Sequence, residues 1–166
     1  MSKRKDLLNV PMTINWDQKP NRKYFLRHLI ETNSYSTMAE VGVRDGRTTF
    51  YLLDNIPNLT IYAIDLSIKG FYNSAVKEKY KDRLIPIEGN SAYMSSSVPK
   101  VDLVFIDADH SYQGCKLDIL AYRDKVKSGG ILSGHDIDYP GVNGAVNELI
   151  KTYEVGPNNV WFTLVS

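Results

Sequence analysis

The sequence predicts a doubly wound α/β domain, a mostly parallel sheet with helices on both faces. Three observations lead there. Short apolar, β-branched runs alternate with longer stretches whose apolar residues recur three and four apart, the pattern of successive βαβ units. Acids and glycines gather just after the strand-like runs, where strands of an open sheet empty into loops. The chain has 166 residues, 43% hydrophobic and 23% charged, which suits one domain that buries its own core.

Asp17 followed by Pro20 opens a helix whose Phe25, Leu26, Leu29 and Ile30 share one stripe. Thr37 to Val43 reads as a short strand running into a glycine turn, and Thr48 to Asn55 as a helix stopped by Pro57. Leu59 to Ile64 is a β-branched strand that ends at Asp65. A helix follows, with Tyr72, Ala75, Val76 and Tyr80 on one side. Arg83 to Glu88 closes at Gly89-Asn90-Ser91, and a serine-rich connection, Ser95-Ser96-Ser97, leads to the apolar central strand Val101 to Ile106. Ser111 caps the next helix, whose stripe is Tyr112, Cys115, Ile119, Tyr122 and Val126. Lys125 and Lys127 favour its C-terminus and Gly129-Gly130 ends it. Gly130 to Ser133 is a strand, Val142 to Lys151 a helix, and Val160 to Val165 the last strand.

Composition excludes several classes. Lys and Arg number 20 against 19 Asp and Glu, a net +1, too even for a protein that grips nucleic acid through bulk charge. The single cysteine, Cys115, excludes a disulfide framework and a cysteine-rich zinc site and points to a reducing compartment. No apolar run is long enough for a transmembrane helix. Lys3-Arg4-Lys5 begins like a signal peptide, but Asn9, Pro11 and Thr13 interrupt the apolar stretch that must follow, so a cytoplasmic protein is expected. From Met1 to His28, seven basic residues face two acids, a local +5. That excess is either a solvated tail and helix face or a basic arm that guides an anionic substrate.

Ligands of doubly wound sheets sit beyond the carboxyl ends of the strands, near the point where strand order reverses. Glu40 to Gly46 reads acid-x-Gly-x-x-x-Gly between a strand and a helix. Gly42 and Gly46 permit a tight turn and close backbone approach, beside a helix N-terminus. A dinucleotide fingerprint needs glycine where Arg44 stands, which argues against NAD or FAD. Asp65 follows at about the ~20-residue interval of a ribose-binding acid, although alone it reads as an ordinary turn aspartate. Gly89-Asn90-Ser91 either reaches the base of the same nucleoside or forms a plain turn. Asp107, His135 and Asp136 end neighbouring strands, spaced about 4.8 Å apart in a sheet.

Glu40 to Gly46, Asp65 and Gly89-Asn90-Ser91, in that order, resemble the motifs of class I S-adenosylmethionine-dependent methyltransferases, over nearly the whole chain from Tyr35. Phe105 to Tyr112 (FIDADHSY) with Ser133 to Asp136 (SGHD) is similar to a small O-methyltransferase-like subgroup. The resemblance implies a Rossmann-like, seven-stranded sheet with one antiparallel strand, here Val160 to Val165. It divides the chain into a basic segment and helix (1–34) and a donor-binding methyltransferase domain (35–166). It implies S-adenosyl-L-methionine held by Glu40, Gly42, Gly46, Asp65, Asn90 and Ser91, and methyl transfer to a hydroxyl of a small molecule.

In metal-dependent members, acids at the fourth and fifth strand ends hold a divalent ion. Asp107 and Asp136 would be the ligands here, hard oxygen donors suited to Mg²⁺. The sequence departs from those members in two places. Ile137 stands where they carry a ligating asparagine, with Asp138 one residue on, and His110 takes the place of their usual lysine base. Catalysis is thus assigned to Asp107, His110 and His135: through a metal, or through direct proton removal by a histidine, His110 ahead of His135. The structural alternatives are helix capping for His110 and Ser111, and a hydrogen bond beneath a loop for His135.

Methylation of DNA is not expected. The fourth-strand end lacks the proline-proline-aromatic run of base amino-methylation, and Cys115 lies on a buried stripe where a cytosine nucleophile must be exposed. Two histidines on separate loops make no metallohydrolase motif either. A non-catalytic donor-binding module is the other reading, since only the segment through Thr32 and the loop from Asp138 to Gly144 offer a lid.

Overall fold

Parallel neighbours need a crossover between them, and this chain supplies a helix for each. The computed structural model describes residues 21–166. It contains α1 (Arg22–Asn33), β1 (Thr37–Val41), α2 (Arg47–Asn55), β2 (Thr60–Asp65), α3 (Ser74–Tyr80), β3 (Leu84–Glu88) and α4 (Ser91–Met94). Then come β4 (Val101–Ile106), α5 (Tyr112–Tyr122), β5 (Val126–Gly134), α6 (Pro140–Leu149), β6 (Glu154–Gly156) and β7 (Val160–Leu164). The seven strands form one sheet in the order β3-β2-β1-β4-β5-β7-β6. β1 to β5 run parallel, and β7 is antiparallel to both of its neighbours. The Rossmann-like, doubly wound sheet expected above, with its one reversed strand, is what the chain adopts.

β4 shows why the centre reads as an unbroken apolar run. Leu103 and Phe105 pack into the cluster under α1 and α2, while Val104 and Ile106 pack into the cluster under α5 and α6. Both faces are covered, so alternation disappears. On the first face Phe25 of α1 meets Phe162 of β7 with ring centroids 5.4 Å apart, which ties the first helix to the last strand. On the other, Cys115, Ile119 and Tyr122 are buried against Val142 and Val146. Among the described residues no helix is long and apolar enough to cross a membrane.

Several boundaries differ from expectation. Asp17 and Pro20 lie outside the described residues, and the α1 described here is capped by Asn21, whose side chain accepts from the Lys23 N–H. Val126 is not the end of a helix stripe but the first residue of β5, and Gly129-Gly130 lies within that strand. The register against β4 shifts between Val101 and Leu103, and Gly129, at φ +79°, sits in this irregularity, where a left-handed residue is needed. Lys127 therefore reaches Asp102 at 2.9 Å, with no helix end to serve. Tyr112, expected on the buried stripe, is 42% exposed and donates to Glu148. The three residues of β6 are too few to show a period.

Candidate active site at the carboxyl end of the sheet

The chain runs outward from β1 to β2 and β3, then returns across β1 to β4, so strand order reverses between β1 and β4. There a cavity of about 650 Å³ opens, walled by residues that follow all five parallel strands, within the size range of small-molecule sites. Glu40, Gly42, Asp65, Asn90, Ser91, Asp107, His110, His135 and Asp136 all line it. Gly46 does not. It caps α2 in a left-handed conformation, and a Cβ there would strike the Phe50 ring. Gly42 is demanded by the fold itself: at φ +89°, a Cβ would lie 2.3 Å from the carbonyl oxygen of Asp107.

The two sides of the cavity are built differently. On the β1–β2–β3 side, Asp65 Oδ2 accepts from the backbone N–H of Val43 at 2.8 Å and of Arg44 at 2.7 Å, and Oδ1 from Ser67 at 3.2 Å. Partial burial works against its charge, but these backbone donors outweigh it and hold its pKa below the ordinary value. Asp65 thereby pins the glycine loop, and its remaining acceptor capacity is what a ligand would meet. Glu40 is 3% exposed and accepts from Thr49 Oγ1 at 2.5 Å. Burial, reinforced by the charges of Asp107 and Asp65, pushes its carboxyl up to about 8 against the opposing pull of Thr49 and Arg22.

Asn90 caps α4, its side chain facing the Tyr93 N–H at 3.5 Å. Ser91 donates to Asp118 at 2.5 Å, while Tyr122 donates to the Ser91 carbonyl at 2.8 Å. Asp118 is 2% exposed and burial raises its carboxyl to about 6. It falls three residues after Cys115 and four before Tyr122, and an acid on that buried stripe is the sequence signal for it.

On the β4–β5 side the charged groups converge. His110 Nε2 lies 2.7 Å from Asp136 Oδ2 and 3.6 Å from Asp107 Oδ1. His135 Nδ1 lies 3.0 Å from Asp136 Oδ1 and 3.5 Å from Asp107 Oδ1. Yet among the described residues neither His110 Nε2 nor His135 Nδ1 has a hydrogen-bond partner of acceptable geometry. One ligand atom each from Asp107, His110 and Asp136 lies within 4.8 Å of the others, the separation of donors around one cation. Asp138 is exposed and lies off the cavity wall, and His110, not Asp138, completes the cluster with Asp107 and Asp136. Burial opposes charge on His135, but Asp107 and Asp136 prevail and raise its pKa. Tyr139 stacks obliquely on His110, ring centroids 5.1 Å apart. Arg22, which the sequence marks only as part of a basic segment, places Nη2 3.3 Å from Asp107 Oδ2. No local spacing links those two residues.

Residues 39–137 match the family model described as a methyltransferase domain (Methyltransf_24). No curated protein matches the sequence. Among solved structures, a candidate caffeoyl-CoA O-methyltransferase from Staphylococcus aureus superposes with a TM-score of 0.74 at 16% identity, covering 100% of this chain and 93% of that one. CalS11, a TDP-rhamnose 3′-O-methyltransferase of calicheamicin biosynthesis, gives 0.61 at 18% identity over 97% and 90% of the chains. MycE, solved with Mg, S-adenosylhomocysteine and mycinamycin VI, gives 0.64 at 18% identity over 85% of this chain and 48% of its own. With the family model covering well over half its length, the chain belongs to the methyltransferase-domain family and is a class I S-adenosylmethionine-dependent methyltransferase.

Proposed function

We propose that the enzyme transfers a methyl group from S-adenosylmethionine to a hydroxyl oxygen of a small molecule, a sugar or a phenol, in the cytoplasm. The observation that carries this reading is the Asp107–His110–Asp136 cluster at one end of the cavity whose other end is walled by Asp65, Asn90 and Ser91. Donor and acceptor halves then meet beneath the reversal point, where positioning alone lowers much of the barrier. The donor half is Glu40, Gly42, Asp65, Asn90 and Ser91, with Gly46 shaping the loop; residues 35–166 carry it, and α1 forms part of its wall. Asp65 Oδ1 offers the lone pair that a ribose hydroxyl needs, and the sulfonium supplies an electrophilic methyl carbon.

Asp107, His110 and Asp136 fit a divalent ion, because their donor atoms are close and His110 Nε2 has no hydrogen-bond partner among the described residues. Such an ion supplies acidity to a neighbouring hydroxyl, and two carboxylates with one imidazole admit Mg²⁺. The chain's own groups orient the acceptor's hydroxyl against Asp107 and Asp136 and take up its proton. Where no ion is bound, His110 is the group for proton uptake, its side chain being 39% exposed. His135 is 9% exposed, and the Asp107 and Asp136 carboxylates raise its pKa against the effect of burial. The relatives' names favour the same chemistry, since CalS11 is named for a sugar hydroxyl and MycE was solved with Mg.

The test is transfer of a labelled methyl group to a panel of sugar and phenol acceptors, with and without chelator. Loss of turnover in chelator and recovery with Mg²⁺ is the expected result. Turnover that survives chelator but is lost in His110→Ala assigns the proton to histidine alone. Tight donor binding with no labelled acceptor would return the protein to the non-catalytic reading.

A further inference from the structure

Ser91 opens α4 on the cavity wall, and its hydroxyl meets α5, where Asp118 Oδ1 lies 2.5 Å away. An ionised carboxylate has lone pairs and no proton to give. Burial raises Asp118 only to about 6, so at neutral pH it carries its charge. The 2.5 Å separation is that of a hydroxyl donating to a charged oxygen. The Ser91 proton is therefore spent on Asp118. Tyr122 donates to the Ser91 carbonyl at 2.8 Å, which leaves the lone pairs of the hydroxyl oxygen open.

Asp118 is an expensive residue to keep at this place. It is 2% exposed, and its Oδ2 is shielded from solvent with no hydrogen-bond partner among the described residues. An apolar side chain would continue the stripe from Cys115 to Tyr122 without that penalty. What the carboxylate adds is direction: with its proton committed, Ser91 Oγ can only accept. The base of an adenosine has one N–H donor group, the 6-amino group, and its other ring positions are acceptors or C–H.

We propose that Asp118 is a positioning residue for the methyl donor: it takes the Ser91 proton and so fixes Ser91 Oγ as the acceptor for the 6-amino group of the donor's base. This rests on the donor reading above. Asp118 lies off the cavity wall and acts only through Ser91. A base with a 6-oxo group would set two lone-pair oxygens against each other, which makes the pair a filter as well as a clamp.

The experiment is calorimetric titration above pH 7 with S-adenosylhomocysteine, its 6-deamino analogue and S-inosylhomocysteine, which carries the 6-oxo group. Wild type should bind the first about tenfold more tightly than the second, and about tenfold to a hundredfold more tightly than the third. In Asp118→Ala the Ser91 hydroxyl is free to turn and donate. The adenosyl-to-inosyl ratio should then fall about tenfold, with the affinity of the 6-deamino analogue unchanged. Asp118→Asn, which keeps one acceptor oxygen, should restore part of the ratio. In a Ser91→Ala background, Asp118→Ala should leave the ratio where it was, since the group it acts through is gone.

Equal wild-type affinity for the first two ligands overturns the assignment, and needs no variant to fold. So does an Asp118→Ala that weakens all three ligands alike, as a purely structural residue would, or one that shifts the ratio equally with and without Ser91. Wild type that binds none of the three overturns the donor reading itself, and the assignment with it.

Discussion

Two carboxylates of the same strand, Asp102 at the start of β4 and Asp107 just past its end, have opposite surroundings. Asp102 Oδ2 accepts from the N–H groups of Ser36 and Thr37 and from the Thr37 hydroxyl, and Oδ1 accepts from Lys127. Asp107 faces His110, His135 and Arg22, and four nitrogens of those side chains lack hydrogen-bond partners among the described residues. One acid is saturated and closes the sheet's amino end; the other stands among unspent donors. Unmet hydrogen-bonding capacity is what an active site keeps for its ligands, at the expense of stability.

Breaking each acid should therefore have non-overlapping effects. Asp107→Asn should lower turnover about 10²–10⁴-fold, while calorimetry finds donor affinity within about threefold of wild type, as for a group that acts on the reacting atoms. Donor affinity falling as far as turnover would move Asp107 to the donor half. Asp65→Ala should weaken S-adenosylhomocysteine about tenfold to a hundredfold by calorimetry. It should also speed amide exchange at Val43 and Arg44, since their acceptor is removed. Unchanged affinity would leave Asp65 a loop pin only.

Asp102→Asn should cost about 1–3 kcal/mol of stability, or about 2–10 °C in Tm for a chain of this length, with kcat unchanged. Its pH dependence sharpens the contrast. Burial opposes its charge, but Lys127, Thr37 and the Ser36 and Thr37 N–H groups outweigh it and hold Asp102 at about 2, below its ordinary 3.8. That stabilisation is complete above pH 3.8 and lost as pH falls toward 2, so chemical denaturation should show an acid limb that Asp102→Asn lacks.

Glu40 runs the other way. Its folded value of about 8 lies above the ordinary 4.5, so stability falls as pH rises between them. Glu40→Gln should match wild type near pH 4 and exceed it at pH 9 in denaturant midpoint. A wild-type midpoint that stays flat from pH 5 to 8 would show that Glu40 is ionised in the folded protein.

The order of the motifs is legible because it is local. Glu40-x-Gly42, Asp65, Gly89-Asn90-Ser91 and Asp107 each follow an apolar run, and the alternation of such runs with helix stripes already implies that their ends share one edge. Val126 and Gly129-Gly130 read as a helix end for a physical reason: a helix stop and a bulged strand start use the same residues, and only pairing with β4 chooses between them.

By itself, then, the sequence determined the α/β class, the glycine loop, Asp65 and Gly89-Asn90-Ser91 at the strand ends, and the acids after the fourth and fifth strands, because period and turn chemistry act over a few residues. Tertiary structure decided the rest. It brought His110, and not Asp138, to Asp107 and Asp136, pressed Gly42 against the Asp107 backbone, and seated Asp118 under Ser91. It also carried Arg22 from the first helix to the end of β4. Contacts between residues so far apart in the chain leave no period to read; they exist only once the sheet has closed the distance.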